Sequence, residues 1–165
     1  MLKLFLLRHA KSSRKDLLLD DFHRPLKKKG VKEVSFVGGV YKKLYARPDT
    51  IISSPAKRAF ETAQLFAKEI DYSLNKITLE KKIYEAAPEK LLKVLRNISD
   101  EYKNVVIVGH NPGFTDLANR IIDGADIDNI PTCGLVGIEF DTKNWGKIEE
   151  KSGTLFCFEY PKENT

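Results

Sequence analysis

The chain has 165 residues, the length of one domain, and its 42% apolar and 31% charged residues exclude long disorder. The longest apolar runs, residues 4–7 and 105–108, fall far short of the ~20 residues of a membrane span. Twenty-eight basic against 23 acidic residues leave a net charge of +5; a solvated surface accounts for most of the lysines, and the sharper reading is attraction of anions, phosphate above all. Nucleic acid is disfavoured, because the basic residues are dispersed and the dense run Lys27-Lys28-Lys29 has no interleaved aromatics. The first apolar run meets Arg8 with no small-residue cleavage site behind it, unlike a signal peptide. Cys133 and Cys157 have neither metal-site nor disulfide-framework spacing. A single cytoplasmic domain over residues 1–165, without metal or cofactor, is expected.

Residues 2–7 (LKLFLL) form a short apolar run, the pattern of a strand buried on both faces of a parallel sheet. Val31, Val34, Val37, Val40, Tyr41 and Leu44 then recur at helical spacing. Gly38-Gly39 inside that helix costs ~1 kcal/mol per glycine relative to alanine, so close packing against a neighbour is expected there. Residues 49–53 (DTIIS) read as a second buried strand. After it, Ser53-Ser54-Pro55 offers an N-cap and first position for a helix with Ala59, Thr62, Ala63, Phe66 and Ile70 on one face. Residues 77–79 suggest a short strand, and Ala87-Pro88 opens a helix with Leu91, Leu92 and Leu95 inward. Residues 104–109 (NVVIVG) predict a central strand, followed by Asn111 as cap of a helix beginning at Pro112. Residues 135–140 and 155–160 close the chain as antiparallel neighbours joined through residues 145–153. Strands alternating with helices predict an α/β fold with helices on both faces of the sheet.

Open α/β sheets bind ligands outside the carboxyl ends of their strands. The first strand ends in Arg8-His9, the second in Ser53-Ser54-Pro55 with Arg58 just beyond, and the central strand in Gly109-His110-Asn111. One histidine at a strand end is most often structural. Two histidines and two arginines at three converging ends point to an anion with tetrahedral oxygens, met by guanidinium forks and backbone N–H groups. Neighbouring arginines repel a cation, which argues against a metal site, and the Asp21-Phe22-His23 pair in a polar loop adds little. There is no GxxxxGK[ST] phosphate loop and no G-x-S-x-G nucleophile elbow.

The segment Leu7-Arg8-His9-Ala10-Lys11-Ser12-Ser13 resembles the RHG/RHA signature of the histidine phosphatase superfamily, and the chain is similar to its small phosphohistidine phosphatases of the SixA type. The resemblance continues through residues 21–30 (DFHRPLKKKG), 53–62 (SSPAKRAFET), 83–92 (IYEAAPEKLL) and 106–115 (VIVGHNPGFT), nearly the whole chain in order. It implies a phosphoglycerate-mutase-like, three-layer α/β/α sandwich with a mostly parallel central sheet. It further implies His9 as the phosphate-accepting nucleophile, surrounded by Arg8, Arg58 and His110, with no metal required. Ser12 and Ser13 are candidate backbone donors to the substrate. Arg24 either lines the pocket or anchors its loop to Asp20 or Asp21. Glu85 is the nearest candidate for a general acid, set against an exposed glutamate preceding a helix. Lys15 stands where mutase-type members carry asparagine, and Lys27 replaces a threonine that would cap the next helix. The expected function is removal of phosphate from protein phosphohistidine, with phosphate or sulfate fitting the pocket. The alternatives are a phosphatase of sugar or nucleotide phosphates and a catalytically silent phosphate-binding module.

Overall fold

In the computed structural model, which describes residues 1–162, six strands form one sheet in the order β3-β2-β4-β1-β5-β6. They are β1 (Leu2–Arg8), β2 (Thr50–Ser53), β3 (Thr78–Leu79), β4 (Asn104–Gly109), β5 (Leu135–Phe140) and β6 (Gly153–Glu159). β1, β4, β2 and β3 pair in parallel, and β5 runs antiparallel to both β1 and β6. The central strands are the near-continuous apolar runs, as burial on both faces requires. Helices α1 (Lys28–Leu44) and α2 (Lys57–Glu69) cover one face; α3 (Pro88–Arg96) and α4 (Gly113–Ile121) cover the other.

Two apolar cores confirm the three layers. Phe5, Leu7, Val106 and Val108 point to Val34, Val37, Ala63 and Phe66 of α1 and α2. Leu4, Leu6, Val105 and Ile107 point to Leu91, Leu95, Phe114 and Leu117 of α3 and α4. Alternate residues of one strand thus face opposite layers, which is the period-2 rule of an extended chain. The fold is the three-layer α/β/α sandwich expected, with a mostly parallel sheet.

Several local details differ from expectation. The buried stripe of α1 is Gly30, Glu33, Val34, Val37, Gly38 and Tyr41, whereas Val31 and Leu44 are exposed. Gly38 lets α2 approach, since a Cβ there would lie 2.8 Å from the Glu69 side chain, but Gly39 has open space. Helix α2 starts at Lys57, beyond Pro55, with no side-chain cap. Ser54 Oγ accepts from Ala56 N–H at 3.3 Å, one residue short of the helix, and also meets His110. Helix α4 starts at Gly113, yet Asn111 still caps it by accepting from the Thr115 amide at 3.1 Å and the Thr115 hydroxyl at 2.9 Å. Lys27 leaves α1 without a side-chain cap, as its substitution for threonine suggests. Strand β6 begins two residues earlier than expected, and the connection before it buries Trp145 in a 3-10 turn, its Nε1 donating to Tyr102 O at 2.6 Å.

Candidate active site

Sheet register assembles the site. β1 and β4 pair with Arg8 opposite Gly109, so the next residues, His9 and His110, emerge side by side with ring centroids 5.3 Å apart. β2 and β4 pair with Ser53 opposite Val108, which carries Ser54 to His110; its Oγ lies 2.8 Å from His110 Nε2. The His9 backbone is held on both sides, its N–H donating to Gly109 O and its carbonyl accepting from Cys133 N–H, each at 3.0 Å. Ala10 N–H donates to Thr62 Oγ1 at 3.0 Å, tying the same segment to α2.

The ring of His9 has a defined tautomer. Its Nδ1 lies 2.8 Å from Ala10 O, and a carbonyl can only accept, so the proton sits on Nδ1 and Nε2 keeps its lone pair. Burial, with the charges of Arg58, Arg8 and Arg24, depresses the His9 pKa to about 4 against the opposing bond to Ala10 O. Burial also depresses His110 to about 3, helped by His9 and the arginines. Both rings are therefore neutral at pH 7. Ser54 Oγ already accepts from Ala56 N–H at 3.3 Å, so we assign its proton to the hydrogen bond with His110 Nε2, which places the ring proton on Nδ1, an atom that is buried and has no protein partner.

Arg8 and Arg58 have the same unfinished character. Arg8 Nη1 donates to Ile130 O at 2.8 Å, and Arg58 Nη1 donates to Asp21 O at 2.7 Å, but each Nε is buried without a partner. A buried donor with no acceptor is costly, typically ~1–3 kcal/mol and more for charged groups. Three such donors beside one neutral imidazole suit an incoming oxyanion.

Asp21 organises the arginines. Its Oδ2 accepts from Arg58 Nη2 at 3.0 Å and from the Tyr84 hydroxyl at 2.7 Å, while its Oδ1 accepts from Arg24 Nε at 3.2 Å and Nη2 at 3.0 Å. Arg24 also donates from Nη1 to Ser12 Oγ at 2.7 Å, so it both lines the cleft and anchors its loop to Asp21. Desolvation would raise the Asp21 pKa, but Tyr84, Arg24 and Arg58 together hold it well below the usual carboxylate range.

These groups line a cleft of about 570 Å³ with Arg8, His9, Ser12, Arg24, Arg58, Glu85 and His110 in its wall. Ser13 is not in that wall. Its amide donates to Pro25 O at 2.7 Å and its Oγ accepts from Lys15 N–H, so it serves the loop and does not face the cleft as a donor. Glu85 is exposed at the mouth and holds a left-handed backbone conformation, φ 51°. A larger hollow of about 760 Å³ between β3 and α3 shares no residue with the cleft. Among the described residues no group of three or more His, Cys, Asp or Glu side chains is arranged to hold a metal ion.

Four contributors go beyond what the sequence assigns. Ser54 reads there as a helix cap, and Asp21 as a possible anchor of Arg24 and half of a weak pair with His23, but not as a partner of Arg58 and Tyr84. Tyr84 sits beside Glu85 with no signal of its own. Glu33 lies off the stripe that the sequence predicts for α1 but is buried in the structure; its Oε1 accepts from Lys11 N–H at 3.0 Å and its Oε2 lies 4.0 Å from the Lys11 ammonium.

The family model of the histidine phosphatase superfamily (branch 1) matches residues 4–88, more than half of the chain. The chain belongs to the histidine phosphatase superfamily. An uncharacterized chloroplastic protein of Arabidopsis thaliana is 30% identical over 159 residues, covering 92% of this chain and 72% of that protein. Among solved structures, a provisionally named phosphohistidine phosphatase SixA from Agrobacterium tumefaciens superposes with a TM-score of 0.81 at 26% identity, covering 98% of this chain and 99% of that one. A protein histidine phosphatase SixA complexed with tungstate superposes at 0.82 and 16% identity, covering 96% and 97%. The protein is thus a phosphatase with the histidine phosphatase fold. The superfamily match ends at residue 88, whereas His110, from β4, completes the cleft outside it.

Proposed function

We propose that this histidine phosphatase removes phosphate from protein phosphohistidine through a covalent intermediate on His9. The observation that carries the reading is the His9 tautomer: Nδ1 bonded to Ala10 O, Nε2 unprotonated, and buried donors of Arg8, Arg58 and His110 unpartnered beside it. Nε2 attacks phosphorus, and the bond from phosphorus to the substrate nitrogen breaks with its electron pair moving to that nitrogen. With its second nitrogen protonated, the substrate imidazole leaves as a neutral ring. Water then attacks the phosphorus on His9, releases inorganic phosphate and returns the pair to Nε2. The arginines and His110 Nδ1–H follow the charge on the equatorial oxygens as it spreads in the transition state. No metal enters this scheme, since the two guanidinium groups supply the positive charge.

The weak demand for leaving-group protonation supports phosphohistidine over phosphate esters. An alkoxide leaving group requires a positioned acid, typically worth 10²–10⁴-fold. Of the two carboxylates in the cleft wall, Asp21 is held ionised by Arg24, Arg58 and Tyr84, and Glu85 is exposed and makes no hydrogen bond to the arginines or histidines among the described residues. Sugar or nucleotide phosphates are the second reading, favoured by the presence of Glu85 in the cleft wall. Comparing kcat/KM for a phosphohistidine peptide with a panel of alkyl phosphate esters tests the choice. Preference for the peptide is expected, and preference for esters would reverse it.

A further inference from the structure

Leu17 and Leu18 are 91% and 96% exposed, the most exposed large apolar side chains among the described residues, and Leu19 beside them is 39% exposed. Scattered surface leucines need no explanation, but adjacent ones presented together do. They sit at the tip of a built loop. Its base is closed by the antiparallel bridge between Ser12 and Leu26 and by Ser13 N–H donating to Pro25 O. Its tip is an Asp16 turn, with Oδ1 accepting from Leu18 N–H at 3.0 Å and the carbonyl accepting from Leu19 N–H at 3.3 Å. The two legs of the loop, at Arg14 and Asp21, both line the cleft. Each leucine is three residues from one leg, so neither backbone is more than about 11 Å from a cleft residue.

We infer that this turn is a docking element for the polypeptide around the phosphohistidine, an apolar contact made alongside the phosphoryl group. The inference rests on the phosphohistidine reading and adds to it which part of the substrate is recognised outside the cleft. The occupant is a phosphorylated polypeptide with an apolar side chain within about 11 Å of its phosphohistidine. Two features select it. The turn is continuous with the cleft, so a polypeptide that brings a phosphoryl group to His9 carries its neighbouring residues within reach of the leucines. The neighbouring wall is cationic: Arg14 and Lys27 are exposed and make no ion pair among the described residues, complementing the anionic group that the partner carries. A bilayer with anionic headgroups suits the turn less well, because residues 14–21 carry three acidic side chains, Asp16, Asp20 and Asp21, against the two basic ones of Arg14 and Lys15. A free sugar phosphate has nothing to offer two leucines.

The test compares wild type with the Leu17→Ser/Leu18→Ser double variant on free phosphohistidine and on two phosphohistidine peptides of equal length. One peptide carries leucine three residues to either side of the phosphohistidine; the other carries serine there. For wild type, kcat/KM on the leucine peptide should exceed that on the serine peptide about tenfold, through KM, as burial of part of a leucine side chain gives. The variant should lose that preference and still hydrolyse free phosphohistidine at the wild-type rate, which also shows that it folds. No peptide preference in wild type, or one that persists in the variant, would overturn the docking turn while turnover of free phosphohistidine kept the substrate reading intact. Leucine-dependent sedimentation with phosphatidylserine vesicles, or leucine-dependent dimerisation, without a peptide preference would also overturn it. Failure to hydrolyse any phosphohistidine form while phosphate esters are cleaved would overturn the substrate reading and the docking turn with it.

Discussion

Asp21 accepts from Arg24, Arg58 and Tyr84, and its carboxylate fixes the direction of both guanidinium groups. Asparagine would keep one acceptor and turn an NH₂ group toward donors. Asp21→Asn should therefore lower kcat/KM on a phosphohistidine peptide about 10- to 100-fold, the worth of one or two charge-assisted hydrogen bonds; steady-state kinetics check it. The histidines give a prediction in pH. With His9 depressed to about 4, kcat/KM of the free enzyme should stay level well below pH 6 and fall only as pH 4 is approached, where a break near 6.5 would mark an ordinary imidazole. The same shift makes stability fall on acidification: between about 6.5 and 4 the unfolded chain binds a proton that folded His9 excludes. Thermal melts across that range should track the loss. Glu85→Gln should barely change phosphohistidine turnover, since the leaving ring needs little acid help; a ~100-fold loss on alkyl esters would instead mark Glu85 as a general acid. At this scale the strand-end residues were legible, because a polar residue directly after a buried apolar run must emerge at the sheet's edge. The local Arg24–Asp21 contact was legible too, but the bonds of Asp21 to Arg58, Tyr84 to Asp21 and Ser54 to His110 were not, because the partners lie 37, 63 and 56 residues apart in the chain.

Elements are positioned by close backbone approach as much as by side chains. A Cβ at Gly30 would run into the Lys11 carbonyl, so this glycine of the DFHRPLKKKG segment lets α1 rest on the loop that follows His9. Gly113 plays the same part between α4 and the Ala86 carbonyl, beside His110 and Glu85. Gly30→Ala should lower stability by ~1–3 kcal/mol through overpacking and reduce activity by displacing Lys11 and Ser12; chemical denaturation and kinetics on one preparation check both. The element types follow from period and apolar run length, and the glycines in the motifs mark contacts. Helix starts were less legible. Ser54-Pro55 has the chemistry of a cap, but the helix starts two residues after the proline, and the Ser54 hydroxyl meets both the Ala56 amide and His110. The stripe of α1 was misplaced because Glu33 is buried to hold Lys11, while Val31 is exposed.

Taken whole, the molecule joins residues 8–27, 58, 85, 110–111 and 132 around the carboxyl ends of β1, β2 and β4, although β2 enters the sheet on the far side of β4 from β1. That order is invisible in apolar periodicity, which fixes the strands but not their neighbours. The antiparallel β5 was legible only as a partner of β6; that it also pairs with β1, and that Gly134 O accepts from Arg8 N–H at 3.0 Å, depends on the closed fold. Everything converges on Nε2 of His9, so the most direct measurement is rapid-quench mass spectrometry after brief mixing with phosphohistidine peptide. The account predicts one phosphate on His9, labile in acid and stable in base, formed and lost at rates consistent with turnover. Phosphate on a serine, or an unmodified His9 while steady turnover continues under conditions that trap the intermediate, would contradict it.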